Sequence, residues 1–156
     1  VVEYSADPET KRVVIYGSND LGDWLRNFGT GRTIGNRERV NRWDRYEALV
    51  VLRGIRDLGI HVQVIGHSRG GAIAQIVARE LMRQHRLSMC TVYGSKRTGN
   101  RTFVDALTYG EGWFSHIRNR GDWIPLLPPW YARLPEWVTA KPWRPVWLSH
   151  LDYPYS

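Results

Sequence analysis

Cysteine is nearly absent from this sequence: among 156 residues Cys90 stands alone. No internal disulfide can form and no thiolate metal site can be assembled, so packing must hold the chain together. Cys90 sits in Met89-Cys90-Thr91-Val92-Tyr93 and reads as a small buried hydrophobe. Long hydrophobic runs are missing too. No stretch approaches the ~20 apolar residues of a membrane span, so a soluble chain is expected. Val1–Tyr4 carries no signal-peptide pattern, and a chain without disulfides fits the cytosol without excluding the outside; the compartment is left open. There is no internal repeat and no low-complexity segment. The length suits a single domain over 1–156, which at this size buries roughly 68–70% of its unfolded surface.

Acidic charge is also in short supply. Lysine and arginine outnumber aspartate and glutamate by 22 to 15, for a net charge of +7. A basic surface attracts nucleic acid, anionic lipid headgroups or other acidic partners, or simply keeps the chain soluble. The basic residues are scattered, so nucleic acid is not the expected partner, whereas an anionic membrane surface stays open. The densest group, Arg32 to Arg45, reads as a solvated loop and helix start.

What is present is an alternation of strand and helix patterns. Val1–Tyr4 and Arg12–Tyr16 flank the turn Asp7-Pro8-Glu9-Thr10 and predict an antiparallel pair. Leu21–Phe28 predicts one or two helical turns, and Gly29–Asn41 a flexible loop. Asp44–Leu58 has apolar residues at Leu49, Leu52 and Ile55, and also at Val50 and Val51, and predicts a helix with Gly59 as its stop. Ile60–Ile65 predicts a buried strand, Ser68–His85 a helix, and Met89–Tyr93 a second buried strand. Thr98–Tyr109 predicts a helix with Phe103, Ala106 and Leu107 inward; Phe114–Asn119 is a third strand. This order implies a mostly parallel central sheet flanked by helices. From Pro125 onward, recurrent proline rules out a long helix or central strand. Trp130, Trp137, Trp143 and Trp147 mark that segment as an aromatic cover, serving either an acyl pocket or the core.

Gly66-His67-Ser68-Arg69-Gly70 carries the G-x-S-x-G pattern between a predicted buried strand and a predicted helix. A nucleophile elbow, the device of the α/β-hydrolase fold, demands that context. Ser68 must sit on a strained turn, flanked by glycines because side chains there collide. The plainer alternative is a strand–turn–helix with Ser68 as N-cap.

A serine hydroxyl needs a base, and the base an orienting acid, in the chain order Ser, Asp or Glu, His. Of the downstream histidines, His85 lies at the far end of the nucleophile's helix and His116 inside a strand. His150, in a terminal loop, is the favoured base. His67 is expected to point elsewhere on its tight turn. Asp105 lies in a helix and Asp152 almost beside His150. Asp122 follows a strand at the carboxyl edge of the sheet, where sites in parallel α/β folds gather, and is the favoured acid. The oxyanion donors are expected at the Arg69 N–H and in the loop Gly17-Ser18-Asn19, through Ser18. Taken alone, Ser18 reads equally as a turn residue. No metal or organic cofactor is called for.

These residues together resemble the class 3, or fungal-type, lipases from about Lys11 to Tyr155. Val13-Val14-Ile15-Tyr16-Gly17-Ser18 is similar to the family's strand leading to its oxyanion residue, and Asp23-Trp24-Leu25 to the segment after it. Gly66-His67-Ser68-Arg69-Gly70-Gly71-Ala72 resembles Gly-His-Ser-Leu-Gly-Gly-Ala. Tyr93-Gly94-Ser95, Thr98-Gly99-Asn100 and Phe103 resemble a further motif, Asn119 to Pro129 the acid's motif, and His150 with Tyr153 the terminal His-x-x-Tyr. The resemblance implies a compact α/β-hydrolase fold with Ser68, Asp122 and His150 as triad and Ser18 in the oxyanion hole. Three positions depart from it: Tyr16 replaces Arg, Arg69 replaces Leu, and Lys96 stands where Pro is frequent. A cation at Arg69 either favours an anionic substrate or projects to solvent. The counterpart of the family's lid falls in Gly29–Asn41, which is poor in apolar residues.

The expected function is hydrolysis of carboxylic esters, with lipid acyl esters (triacylglycerol or phospholipid) as substrate. A small-ester or thioester hydrolase or an acyltransferase would use the same chemistry. A basic lipid- or nucleic-acid-binding module is the non-catalytic alternative.

Overall fold

The computed structural model describes residues 2–17, 31–33, 37–109, 113–127, 134 and 137–139. The strands are β1 (Tyr4–Asp7), β2 (Arg12–Ile15), β3 (Gly31–Thr33), β4 (Arg39–Asn41), β5 (Val62–His67), β6 (Leu87–Tyr93), β7 (Phe114–Asn119) and β8 (Trp137–Thr139). The helices are α1 (Arg42–Gly54), α2 (Ser68–Arg83) and α3 (Arg101–Thr108). Six strands form one sheet in the order β1-β2-β5-β6-β7-β8. β1 runs antiparallel to β2, and every other neighbouring pair in that sheet is parallel. The expected α/β architecture is therefore present.

Several boundaries differ from the sequence pattern, each for a local reason. The first hairpin uses the expected turn: Asp7 accepts hydrogen bonds from the Glu9 N–H (2.9 Å) and the Thr10 hydroxyl (2.7 Å). The turn begins only at Asp7, so β1 is Tyr4–Asp7 rather than Val1–Tyr4. β5 begins at Val62, not Ile60, because Gly59 and His61 both hold positive φ and keep the chain turning. Helix α3 begins at Arg101 instead of Thr98. Thr98, Gly99 and Asn100 are spent on β4, with Asn41 N–H donating to Thr98 O and Asn100 N–H to Arg39 O. The Asn100 side chain then caps α3 by accepting from the Phe103 N–H at 3.1 Å.

The region expected to be a flexible, solvated loop is organised differently. β3 and β4 pair antiparallel within Gly29–Asn41. Glu38 is buried and joined to Arg79 at 2.7 Å and Arg83 at 3.2 Å. Helix α1 starts at Arg42, where Asn41 Oδ1 accepts from the Trp43 and Asp44 N–H groups. It stops at Gly54, against which Tyr4 packs, and gives way to a 3₁₀ turn at Arg56–Leu58. Its buried stripe runs through Asp44, Glu47, Ala48 and Val51, while the apolar Leu49 is exposed. In α3 the inward residues are Phe103, Val104 and Leu107; Ala106 is only half-buried.

The core sits between the sheet and α2. That helix buries Ala72, Ile73, Ala74, Ile76, Val77, Ala78 and Leu81. Each large aliphatic contributes about 1.5–3 kcal/mol by leaving water. Close approach depends on missing side chains. A Cβ on Gly66 would lie 2.5 Å from Gly70 O and 2.7 Å from the Ala74 Cβ. Cys90 is fully buried as expected, and burial pushes its thiol far up from the usual range. Late in the chain, Ile124–Leu126 forms a 3₁₀ turn, Leu134 is buried, and Trp137–Thr139 adds the edge strand β8. The expected turns at Leu21–Phe28 and most of the tryptophan-rich segment lie outside the described residues.

Candidate active site

The register of the parallel strands brings four loops to one edge. Ile15 pairs with Gly66, His67 with Tyr93, and Tyr93 with Ile117. Gly17, Ser68, Gly94 and Asp122 each follow a strand that ends there. This is the carboxyl edge, where the chain leaves each strand with backbone N–H groups and helix N-termini at hand.

Ser68 joins β5 to α2 with φ at +53°, a left-handed conformation for a residue that carries a Cβ. Such a conformation costs on the order of 1–2 kcal/mol, so its surroundings must enforce it. They do so through glycine. A Cβ on Gly70 would strike Ile15 O and the Tyr16 backbone, and one on Gly17 would lie 3.0 Å from His67 O and 3.3 Å from the Ser68 Cβ. The β2 exit, the elbow and the first turn of α2 are thus in direct contact. The Arg69 N–H lies in that first turn, beside the positive end of the helix dipole.

Asp122 is held from two sides. Its N–H donates to Asn119 O at 3.1 Å, and its Oδ1 accepts from the Ile124 N–H at 3.1 Å. Its Oδ2 lies 2.6 Å from the point where a Cβ on Gly94 would sit, so the carboxylate rests on the glycine after β6. Gly94 has φ +51° and its N–H donates to Ile117 O at 2.8 Å. The structure thus brings Ser68 and Asp122 to the same edge. Ser18 and His150 lie outside the described residues.

The other histidines separate cleanly. His85 is at the far end of α2, as expected. His116 is buried within β7, and among the described residues neither ring nitrogen has a hydrogen-bond partner. Burial, with a smaller push from Arg118, lowers its pKa to about 4. The ring of His67 does not point away from the edge. Its Nδ1 is 3.6 Å from the Cβ point of Gly17 and its Nε2 4.0 Å from that of Gly94. His67 closes the strand that lies between β2 and β6, so its side chain packs against the exits of both.

The Arg69 side chain does not project to solvent. It is buried, with Nη2 2.6 Å from Glu47 Oε2 and Nε 3.9 Å from Asp44 Oδ1. Lys96, the second departure from the family pattern, donates to Asp44 Oδ2 at 2.6 Å. Tyr16, the third, lies 3.2 Å from the Ser5 hydroxyl. The acids Asp44 and Glu47 are the residues sequence reasoning passed over. Their signal was available, since both share a helical stripe with Ala48 and Val51, where an apolar residue is the rule. Among the described residues no cluster of His, Cys, Asp or Glu is gathered for a metal.

The model of the family described as lipase (class 3) matches residues 52–132, just over half of the chain and the stretch that runs from α1 past Asp122. The chain belongs to the class 3 lipase family. It is 26% identical over 139 residues to a secreted mono- and diacylglycerol lipase of Fusarium solani, covering 80% of this chain and 42% of the relative. It is 32% identical over 92 residues to a secreted mono- and diacylglycerol lipase of Malassezia globosa, covering 56% of this chain and 28% of the relative. The chain thus spans less than half the length of these class 3 relatives. Among solved structures, a fungal lipase superposes with a TM-score of 0.73 at 19% identity, over 90% of this chain and 59% of that one. A triacylglycerol lipase described as having a serine protease triad at its catalytic centre gives 0.65 at 20% identity, over 90% and 62%. The mostly parallel sheet with its helices is therefore the α/β-hydrolase fold of the fungal lipases. No helix among the described residues of this class 3 lipase chain is long and apolar enough to cross a membrane.

Proposed function

We propose that this chain is a serine hydrolase of lipid acyl esters, acting on acylglycerols, with its 156 residues forming one α/β-hydrolase domain. The observation that carries the reading is the pairing, at one sheet edge, of Ser68 at positive φ with an Asp122 carboxylate seated on Gly94. In this reading Ser68 Oγ attacks the ester carbonyl while His150 takes its proton. Asp122 holds the imidazole in the right tautomer, and the Arg69 N–H and Ser18 stabilise the oxyanion. Collapse expels the alcohol, which takes the proton from His150. Water, activated by the same imidazole, then releases the acid and restores the serine.

The substrate class draws support from the family and from two relatives named as mono- and diacylglycerol lipases. An anionic lipid surface is a fitting place of action. The outer face of α1 exposes Arg42, Trp43, Tyr46, Leu49 and Arg53, which mixes amphipathic aromatics with positive charge.

A fluorophosphonate probe tests the chemistry. Wild type is expected to be labelled at Ser68 and Ser68→Ala to remain unlabelled while folded. A nitrophenyl ester series tests the substrate, with turnover expected to peak at long acyl chains. Labelling absent from folded wild type overturns the hydrolase reading, and activity confined to acetyl and butyryl esters overturns the lipid one.

A further inference from the structure

Two cations stand where the family pattern leads elsewhere, Arg69 directly after Ser68 and Lys96 two residues past Gly94. Both are buried, at 7% and 5% exposure, and both face Asp44, which is 0% exposed. Lys96 Nζ reaches Asp44 Oδ2 at 2.6 Å, and Arg69 Nε stands 3.9 Å from Asp44 Oδ1. Glu47, one turn along α1, takes Arg69 Nη2 at 2.6 Å. Among the described residues, two positive and two negative groups therefore meet at one buried site. Removing one partner from such a set leaves its counterpart buried and uncompensated.

We infer that Asp44 is a positioning residue for the reaction, and the inference rests on the hydrolase reading. Its carboxylate ties together the two chain segments that flank the reacting centre. One is the first turn of α2, whose Arg69 N–H is aimed at the oxyanion. The other is the segment after β6, whose Gly94 seats Asp122. That second segment is clamped from α2 as well, since Gln75 Nε2 donates to the Ser95 hydroxyl at 2.7 Å and the Ser95 hydroxyl donates to Lys96 O at 3.1 Å. Asn41, bound to Thr98 O through its N–H, caps the helix that carries Asp44 and so fixes where the carboxylate begins. The spacing between nucleophile elbow and acid seat thus passes through one side chain of α1, a helix that carries none of the proposed reacting groups. A second charged cluster, the buried Glu38 with the partly exposed Arg79 and Arg83 of α2, lies toward the other end of that helix, away from the elbow.

The contrast between the two clusters gives the test. In Asp44→Asn the shape is kept and the charge removed. Its kcat on a soluble nitrophenyl ester is expected to fall roughly 10–100-fold, with KM within about twofold, as for a small misplacement of reacting groups. Lys96→Met should move kcat in the same direction. Glu38→Gln should lower the urea midpoint while leaving kcat within about twofold of wild type. Backbone amide resonances read the same geometry without turnover: those of Arg69 and Gly94 should both shift in Asp44→Asn and Lys96→Met, and neither in Glu38→Gln. Should Asp44→Asn fail to fold, Lys96→Met carries both readouts. Equal kcat losses in Asp44→Asn and Glu38→Gln overturn the inference, as do unmoved Arg69 and Gly94 amides. Amide shifts in the two variants, in a protein whose wild type shows no turnover, support the coupling and sink the hydrolase reading instead.

Discussion

Gly94 and Asp122 touch: the carboxylate Oδ2 occupies space within 2.6 Å of the position a Cβ on Gly94 would take. Twenty-seven residues of sequence lie between them, and the contact forms because β6 and β7 are parallel neighbours that end together. A side chain at position 94 must therefore displace the acid. It must also adopt φ +51°, which favours glycine.

Gly94→Ala is accordingly expected to lower kcat by on the order of 10²-fold, the scale for a misplacement of about 1 Å. Backbone strain should remove about 1–2 kcal/mol of stability as well. Steady-state kinetics on a nitrophenyl ester, with urea unfolding of the same preparation, checks both. Activity equal to wild type would show that the acid's seat does not matter.

Gly70→Ala probes the other side of the elbow. Its Cβ would meet Ile15 O and the Tyr16 backbone, which are main-chain atoms and cannot rotate away. Overpacking of this kind costs about 1–3 kcal/mol, and here it should push the β2 exit from the first turn of α2. Urea unfolding is expected to show that loss, together with slower fluorophosphonate labelling at Ser68. Unchanged stability and labelling would mean that the helix tolerates a larger gap from β2 than the geometry allows.

His116 makes folding sensitive to acid. Burial holds its folded pKa near 4, below the ordinary value of 6.5. Above pH 6.5 the imidazole is neutral in both states and contributes nothing. As pH falls from 6.5 toward 4 the unfolded chain takes up the proton first, so stability declines, by about 3 kcal/mol at the limit for a shift of this size. Unfolding free energies measured at pH 7.5 and pH 4.5 should differ more in wild type than in His116→Leu. An identical pH dependence in the two proteins would place His116 outside this linkage.

The elbow and most of the layout are legible in local pattern alone. Gly66-His67-Ser68-Arg69-Gly70 lies between an apolar β-branched run and an alanine-rich helical stripe, and those local periodicities do not depend on distant contacts. The place of Asp122 just after a strand is legible for the same reason, whereas its seat on Gly94 comes from the pairing of β6 with β7. Where charge goes is set by packing instead. Arg69, Lys96, Asp44 and Glu47 each look like surface residues when read singly. They are buried because α1 lays its acidic stripe against the first turn of α2 and the segment after β6. Glu38 likewise sits in a stretch that reads as a basic loop, yet it is enclosed by Arg79 and Arg83 from a helix far along the chain. A charge is stable away from water only beside its opposite, and that partner is fixed by packing between distant segments, which no local pattern records.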